Sequence, residues 1–195
     1  KQEGIPTVPK ERRIRPIHIW QSAAAILFLL LASSVYLSTV GTKAETDLLQ
    51  QYIPIAEMRS LTLPDGTKVQ LNSKSTLLYP QEFTGDSRSV FLLGEANFKV
   101  KPDKKRPFIV KSNDLQITAL GTEFNVSAYP ESQEIATTLI SGSIRVDYNN
   151  LTTSVILHPN EQFAYNRNNK KYDLSNPDMD DVTAWQRGEL VLQKM

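Results

Sequence analysis

The sequence predicts an all-β domain that follows a single transmembrane helix. Ile19 to Val40 form an uncharged, apolar run of 22 residues. A helix of that length spans the roughly 30 Å hydrocarbon core of a bilayer. From Glu57 to Tyr172 the chain consists of short segments rich in Val, Leu, Ile, Phe and Tyr, in which apolar and polar residues nearly alternate. That pattern is typical of strands separated by turns.

The charges on the two sides of the apolar run predict its orientation. Residues 1–18 carry five Lys or Arg and two Asp or Glu, whereas residues 41–195 carry 17 and 19. Basic flanks stay in the cytoplasm, so we expect a cytoplasmic stub at 1–18, a membrane helix at 19–40 and an exported remainder. A cleaved signal peptide would also fit the basic start, but its apolar core is only about 7–15 residues long. A buried helix of a soluble protein would show a polar stripe that this run lacks.

The exported part divides into three predicted regions. Residues 41–56 are expected to form a stalk, in which Ala44 to Ile53 could be a short helix ended by Pro54. Residues 57–172 form the all-β domain, and residues 173–195 are a C-terminal linker or the start of another domain, with helical spacing from Asp178 to Lys194. Strands are predicted at 59–63, 68–71, 76–79, 89–93, 97–100, 108–110, 115–120, 123–129, 137–140, 143–148, 154–157 and 162–165.

Turn residues recur along the β-domain. Gly66, which follows Asp65, then Gly94, Gly121, Gly142 and Asn160 are separated by 28, 27, 21 and 18 residues. Glycine tolerates positive φ at turns, and Asn is its commonest substitute there. A recurring turn-and-strand unit is produced either by a β-solenoid or by a wrapped β-sandwich. The drift in spacing leaves both alternatives open.

The sequence offers little material for catalysis or metal binding. It has no Cys, and His158 is the only histidine after the apolar run, which excludes thiol chemistry and a multi-histidine site. Asp178, Asp180 and Asp181 fit a helix N-terminus better than a calcium loop. Glu95 and Glu123 could be imagined as paired carboxylates, but nothing in the sequence sets their separation. We therefore predict a non-enzymatic protein without a cofactor, and the absence of a basic excess argues against nucleic-acid binding.

Trp185 is the one aromatic residue that stands apart from the predicted strands. It follows the β-domain in the text VTAWQRGELVLQ, among polar residues. We expect it either to pin the C-terminal segment to the domain or to mark a docking surface for a partner. A lone aromatic residue favours the first interpretation.

Eight motifs follow one another along the chain. They are LPDGTKVQLNSKSTLLYP (63–80), F-x-G (83–85), FLLGEANFKV (91–100), RPFIV (106–110), LGTEFNVSAY (120–129), TTLISGSIRV (137–146), LHPNEQFAY (157–165) and W-x-x-G-E-L (185–190). In this order they resemble the FecR family, and the resemblance covers Glu57 to Tyr165 with a further match at 185–190. The last motif, W-x-x-G-E-L, resembles the point at which the next region of that family begins. Where the family usually has Gly, this chain has Asn160.

The resemblance implies an inner-membrane regulator of an extracytoplasmic-function sigma factor with a periplasmic β-domain. Its implied partners are that sigma factor and the signalling domain of a TonB-dependent outer-membrane transporter. The 18-residue stub is short for a sigma-binding domain, and the chain starts with Lys1, so we expect it to be a fragment of a longer protein. The alternative function is a membrane-tethered structural module that carries lipid or glycan.

Overall fold

The computed structural model describes residues 25–36, 48–54 and 57–189, which belong to two compact units, Lys1–Glu45 and Thr46–Met195. In the first unit, residues 25–36 form a helix, α1, whose side chains are exposed. Across the described ranges, no helix has the length and apolar character that crossing a membrane requires. α1 lies within the predicted span at 19–40, and the remainder of that span and the stub at 1–18 fall outside the described residues.

The described part of the second unit is built from thirteen strands and one short helix. The helix, α2 (Met179–Ala184), runs directly into a 3₁₀ turn, η1 (Trp185–Arg187). The strands are β1 (Leu48–Tyr52), β2 (Arg59–Thr62), β3 (Lys68–Leu71), β4 (Thr76–Pro80), β5 (Arg88–Lys99), β6 (Phe108–Lys111), β7 (Gln116–Ala119), β8 (Glu123–Ala128), β9 (Glu134–Ser141), β10 (Ile144–Tyr148), β11 (Thr153–Leu157), β12 (Gln162–Asn166) and β13 (Tyr172–Ser175).

One long strand joins two halves of a curled sheet. Sheet A has the order β1-β4-β5-β6-β7-β10-β11, and sheet B has the order β2-β3-β5-β8-β9-β12-β13. Residues 88–93 of β5 pair with β4 and β6, whereas residues 94–99 pair with β3 and β8. Every described strand pair is antiparallel except β5 with β6. The chain therefore wraps as an antiparallel half-barrel, which matches the wrapped-sandwich alternative rather than a parallel solenoid.

The hydrophobic core lies between the inner faces of the two sheets. Phe98 in sheet B contacts Phe108 in sheet A with ring centroids 5.9 Å apart, and Phe124 stacks on Phe98 at 5.4 Å. Farther along, Tyr148 of β10 meets Phe163 of β12 at 5.2 Å. All five aromatic side chains are buried. Full burial of an apolar side chain of this size contributes about 1.5–3 kcal/mol, so these contacts hold the sheets face to face.

Four of the five recurring turn residues mark places where the chain passes from one sheet to the other. After β5, the hairpins β6–β7, β8–β9, β10–β11 and β12–β13 belong alternately to sheets A and B. Gly121, Gly142 and Asn160 lie at the successive crossings between these hairpins and have φ of 155°, 92° and 69°. Gly94, with φ of 99°, lies inside β5 at the switch between its two halves rather than at a turn. Gly66, with φ of 89°, lies in the β2–β3 turn and stays within sheet B.

The predicted strands are present, and two of the expected boundaries are wrong. All twelve predicted segments overlap strands, some ending one residue outside them, and 89–93 and 97–100 fall in the two halves of β5, whereas β1 and β13 were not predicted. The expected helix from Ala44 to Ile53 is wrong, because Leu48–Tyr52 is β1, paired antiparallel with β4. The sheet thus begins within the expected stalk and ends at Ser175, beyond the expected boundary at 172. Of the helical stretch predicted from Asp178 to Lys194, α2 and η1 occupy Met179 to Arg187. The stretch ends at Gly188, whose φ of 77° is left-handed, and residues 190–194 lie outside the described ranges.

Candidate functional site

Asp65, in the L-P-D-G motif, takes part in a buried ion pair. Arg88 Nη1 donates to Asp65 Oδ2 at 2.7 Å, and the side chains are only 1% and 5% exposed. Asp65 also accepts hydrogen bonds from the backbone N–H of Thr67 at 2.9 Å and from the Thr67 hydroxyl at 2.7 Å. Arg88 also donates to the carbonyls of Arg106 and Lys101, and its guanidinium lies 5.5 Å from the ring centroid of Phe108. These contacts anchor the β2–β3 turn to β5, which is a structural role.

Glu95 lies on the outer face of sheet B, directly after Gly94, where β5 passes from sheet A to sheet B. Its carboxylate accepts hydrogen bonds from the amides of Asn72 at 2.8 Å and Asn125 at 2.9 Å. Burial raises the pKa of Glu95 above its usual 4.5, although both amide hydrogen bonds oppose that shift. Burial and the neighbouring Glu95 carboxylate raise the pKa of Tyr129 to about 12, and the Tyr129 hydroxyl donates to the carbonyl of Ser73.

The two glutamates that the sequence singled out are not brought together. In the β5–β8 ladder Glu95 is opposite Ser127, whereas Glu123 is opposite Lys99, with which it forms an ion pair at 3.2 Å. Four residues along a strand correspond to about 13 Å. Paired glycosidase carboxylates lie about 5–9.5 Å apart, so this placement does not match that chemistry.

Helix α2 and turn η1, here called the C-terminal strap, lie against the outer face of sheet B. Asp178 caps α2 by accepting from the N–H of Asp180 at 2.9 Å, so this acidic residue acts as a helix cap. Ala184 is buried, and Gln70 of β3 donates to the carbonyl of Gln186 at 3.1 Å. Trp185 is half-buried and lies beside Asn125, Thr138 and Gln162 of sheet B, and which of its two expected roles it has stays a prediction.

Beneath the strap, uncharged polar residues form one continuous row across sheet B. Each member faces outward and lies directly opposite the next in strand register, from the β2 edge to the β13 edge. This polar row consists of Ser60, Gln70, Asn97, Asn125, Thr138, Gln162 and Ser175. Sequence reasoning missed the row. Its only local signal is an uncharged polar residue at an outward position of each strand, and the register that aligns these residues is not local.

Two open grooves lie along the polar row. Groove 1, of about 480 Å³, is lined by Ser60, Gln70 and Asn97 of the row and by Gln186 of the strap. Groove 2, of about 270 Å³, is lined by Asn125, Thr138 and Gln162 of the row and by Trp185. The strap contributes Gln186 to groove 1 and Asp181, Val182 and Trp185 to groove 2. Among the described residues, no group of three or more His, Cys, Asp or Glu could hold a metal ion.

Comparison with known proteins identifies similar sequences and folds. A family model described as FecR protein matches residues 53–145. Two crystal structures of a provisionally assigned anti-sigma factor from Parabacteroides distasonis ATCC 8503, solved at 2.50 and 1.65 Å, are 39% and 38% identical to the chain, with TM-scores of 0.70 and 0.69. Each match covers 72% of this chain and 65% of the other, so the chain spans just under two thirds of the length of these relatives. No curated protein matches the chain.

Proposed function

Because the chain belongs to the FecR family, we propose that it is a non-enzymatic signal relay that regulates a sigma factor. The observation that carries this proposal is the 39% identity and shared fold with a protein assigned as an anti-sigma factor. The site supports it in a second way. The polar row lies on the outer face of sheet B, the buried ion pair holds the β2–β3 turn, and the two glutamates are separated, an arrangement that suits binding and scaffolding rather than catalysis.

The proposed relay starts on the periplasmic side of the inner membrane. The β-domain lies in the periplasm, receives the signalling domain of a TonB-dependent outer-membrane transporter, and passes the signal through a membrane helix at 19–40. The partner is an extracytoplasmic-function sigma factor on the cytoplasmic side. The apolar run and the basic residues before it support this topology, and the family resemblance supports the two partners.

Within the β-domain, a continuous path of hydrogen-bonded strands connects the strap with β1. Gln186 of the strap accepts a hydrogen bond from Gln70 of β3, and β3 pairs with β5, which pairs with β4, which pairs with β1. We propose that a partner bound at the strap shifts the position of β1 through these paired strands. Such coupling requires that the partner bind one arrangement of the strap more tightly than the other.

Transcript measurements in the native bacterium test the proposed function. Deleting residues 57–195 should change transcription of the neighbouring outer-membrane uptake operon, with or without its inducer. The matched control replaces only Gly85, an open turn position, with Ala. Equal transcript levels in the deletion strain, the control strain and the wild type, under both conditions, would contradict the relay.

Membrane topology has its own test. Alkaline phosphatase fused after residue 47 should be active, because that enzyme folds only in the periplasm, whereas the same fusion after residue 18 should be inactive. The opposite pattern would reverse the proposed orientation. A lipid carrier, the alternative function, would need an open apolar groove, and most of the residues that line grooves 1 and 2 are polar.

A further inference from the structure

The polar row is long enough, and has enough hydrogen-bonding groups, to bind an extended ligand. Neighbouring strands lie about 4.8 Å apart, so seven members in register extend over roughly 29 Å. No member carries a charge, and each is a hydroxyl or an amide, which can both donate and accept hydrogen bonds. Outward positions of an exposed sheet are usually charged or freely solvated. Here Asn97, Asn125 and Thr138, at the centre of the row, are buried.

Buried polar atoms in both grooves lack hydrogen-bond partners among the described residues. In groove 1 these are Asn97 Nδ2 and Gln186 Nε2, both donors; in groove 2 they are Asn125 Oδ1, an acceptor, and Trp185 Nε1, a donor. Asn97 and Asn125 are only 5% and 4% exposed. Each unpaired buried group costs about 1–3 kcal/mol in the free domain.

The charges around the grooves narrow the ligand class. Groove 2 is bordered by Glu95, Asp181 and Glu189, which disfavours an anion. In groove 1 the ammonium of Lys99 is paired with Glu123, and Lys68 also lines the groove, so it is groove 2 alone that disfavours an anion. An extended peptide would add to a sheet edge along the strands, whereas this row crosses the face of the sheet. A lipid would not satisfy the unpaired amides.

We propose that the outer face of sheet B, along the polar row, is a binding site for a neutral oligosaccharide. Sugar hydroxyls donate and accept, so they match the mixed unpaired groups in the two grooves. Trp185 adds an aromatic surface with a polar N–H, which suits a ligand that has both apolar and polar faces. This site goes beyond the proposed relay and does not depend on it, because it needs neither a membrane nor a protein partner.

Calorimetric titration of the full chain tests this assignment. The chain is held in a detergent without a sugar headgroup, and the probes are maltohexaose, cellohexaose, xylohexaose and mannohexaose. An anionic oligogalacturonide and an uncharged Gly-Ser hexapeptide serve as comparison ligands. We expect saturable binding of at least one neutral hexasaccharide, and weaker or no binding of both comparison ligands. Absence of binding by all four saccharides to the folded chain, or tighter binding of either comparison ligand, would overturn the proposal.

Three site variants and one matched control locate the binding. Asn97→Ala, Gln186→Ala and Trp185→Phe each remove one unpaired donor, and the last two leave the strap backbone in place. Each should weaken binding about tenfold, the effect of losing about 1.4 kcal/mol. Thr118→Ala removes an unpaired hydroxyl from the outer face of sheet A and should stay within about twofold of the wild type. If all three site variants, folded by circular dichroism, bind like the wild type, the site is not the polar row.

Discussion

Replacing Gly94 with alanine should destabilise the β-domain more than any other single methyl addition at its glycines. A Cβ at this position would lie 2.5 Å from Ser75 Oγ, 2.7 Å from its Cα and 2.8 Å from its Cβ. The backbone contact cannot be relieved by rotating the serine side chain. The φ of 99° adds about 1–2 kcal/mol for a residue with a Cβ.

The serine that would be displaced, Ser75, is itself hydrogen-bonded to the backbone of Glu95, the residue after Gly94. Ser75 Oγ accepts from the N–H of Glu95 at 2.8 Å and donates to its carbonyl at 3.0 Å. Losing these two hydrogen bonds costs about 0.5–1.5 kcal/mol each. Together with the backbone strain, Gly94→Ala should lower the free energy of unfolding by about 2–5 kcal/mol, a large part of the 5–15 kcal/mol typical of a domain.

Urea denaturation followed by circular dichroism measures the effect, and Gly85 supplies the control. A Cβ at Gly85 meets nothing within 4 Å, so Gly85→Ala should change the free energy of unfolding by no more than about 0.5 kcal/mol. If Gly94→Ala is as stable as Gly85→Ala, the reasoning that close packing against Ser75 requires glycine here is refuted.

Three further predictions concern the ion pair, the buried carboxylate and one crossing. Arg88→Met leaves the Asp65 carboxylate buried and unpaired, so it should lower the free energy of unfolding in urea by about 3–5 kcal/mol. Adding Asp65→Asn should recover part of that loss, whereas a small effect of Arg88→Met would contradict the stabilising role of the ion pair. The raised pKa of Glu95 means that the folded state holds this proton more tightly than the unfolded state, so the stability of the wild type relative to Glu95→Gln should fall as pH rises above 4.5. Denaturation of both proteins from about pH 4 to about pH 7 measures this difference, and a difference that does not change with pH would refute the prediction. With φ of 69°, Asn160→Gly should be tolerated, whereas Asn160→Ala should lose about 1 kcal/mol; equal melting curves for the two variants would argue against strain there.

Alternation of apolar residues was sufficient to predict eleven of the thirteen described strands because that signal is local. Every predicted segment overlaps a strand, and the recurring glycines are positions of positive φ. Gly94 was read as a turn because a turn and a strand kink both need positive φ and look alike in sequence. The distinction depends on what packs against the glycine, here Ser75 from the loop before β4, which is nineteen positions earlier in the chain.

The first strand was read as a helix because its local propensity is helical. Its residues Leu48 to Gln51 are good helix formers and do not alternate clearly. Their conformation is decided by pairing with β4, in which Leu49 lies opposite Tyr79 and Gln51 opposite Leu77. This is a tertiary effect that overrides propensity, so no single-sequence pattern could reveal it.

The candidate site was the least predictable part. Asp65 and Trp185 attracted attention as individual residues, but the partner of Asp65 is Arg88, 23 positions away, with no sequence motif that links them. The polar row requires the register of six strand pairs at once. A shift of one residue in any of those pairs would turn its outward residues inward and break the row.

The alternating assignment of hairpins to the two sheets makes this architecture extensible. Each hairpin after β5 joins the outer edge of the sheet that the previous hairpin did not join: β10 adds to β7, and β12 adds to β9. A domain built this way can gain or lose its last hairpins without altering any strand pair nearer β5. Length variation among related chains is therefore expected at the β11 and β13 edges, and the width of the outer face of sheet B would change with it.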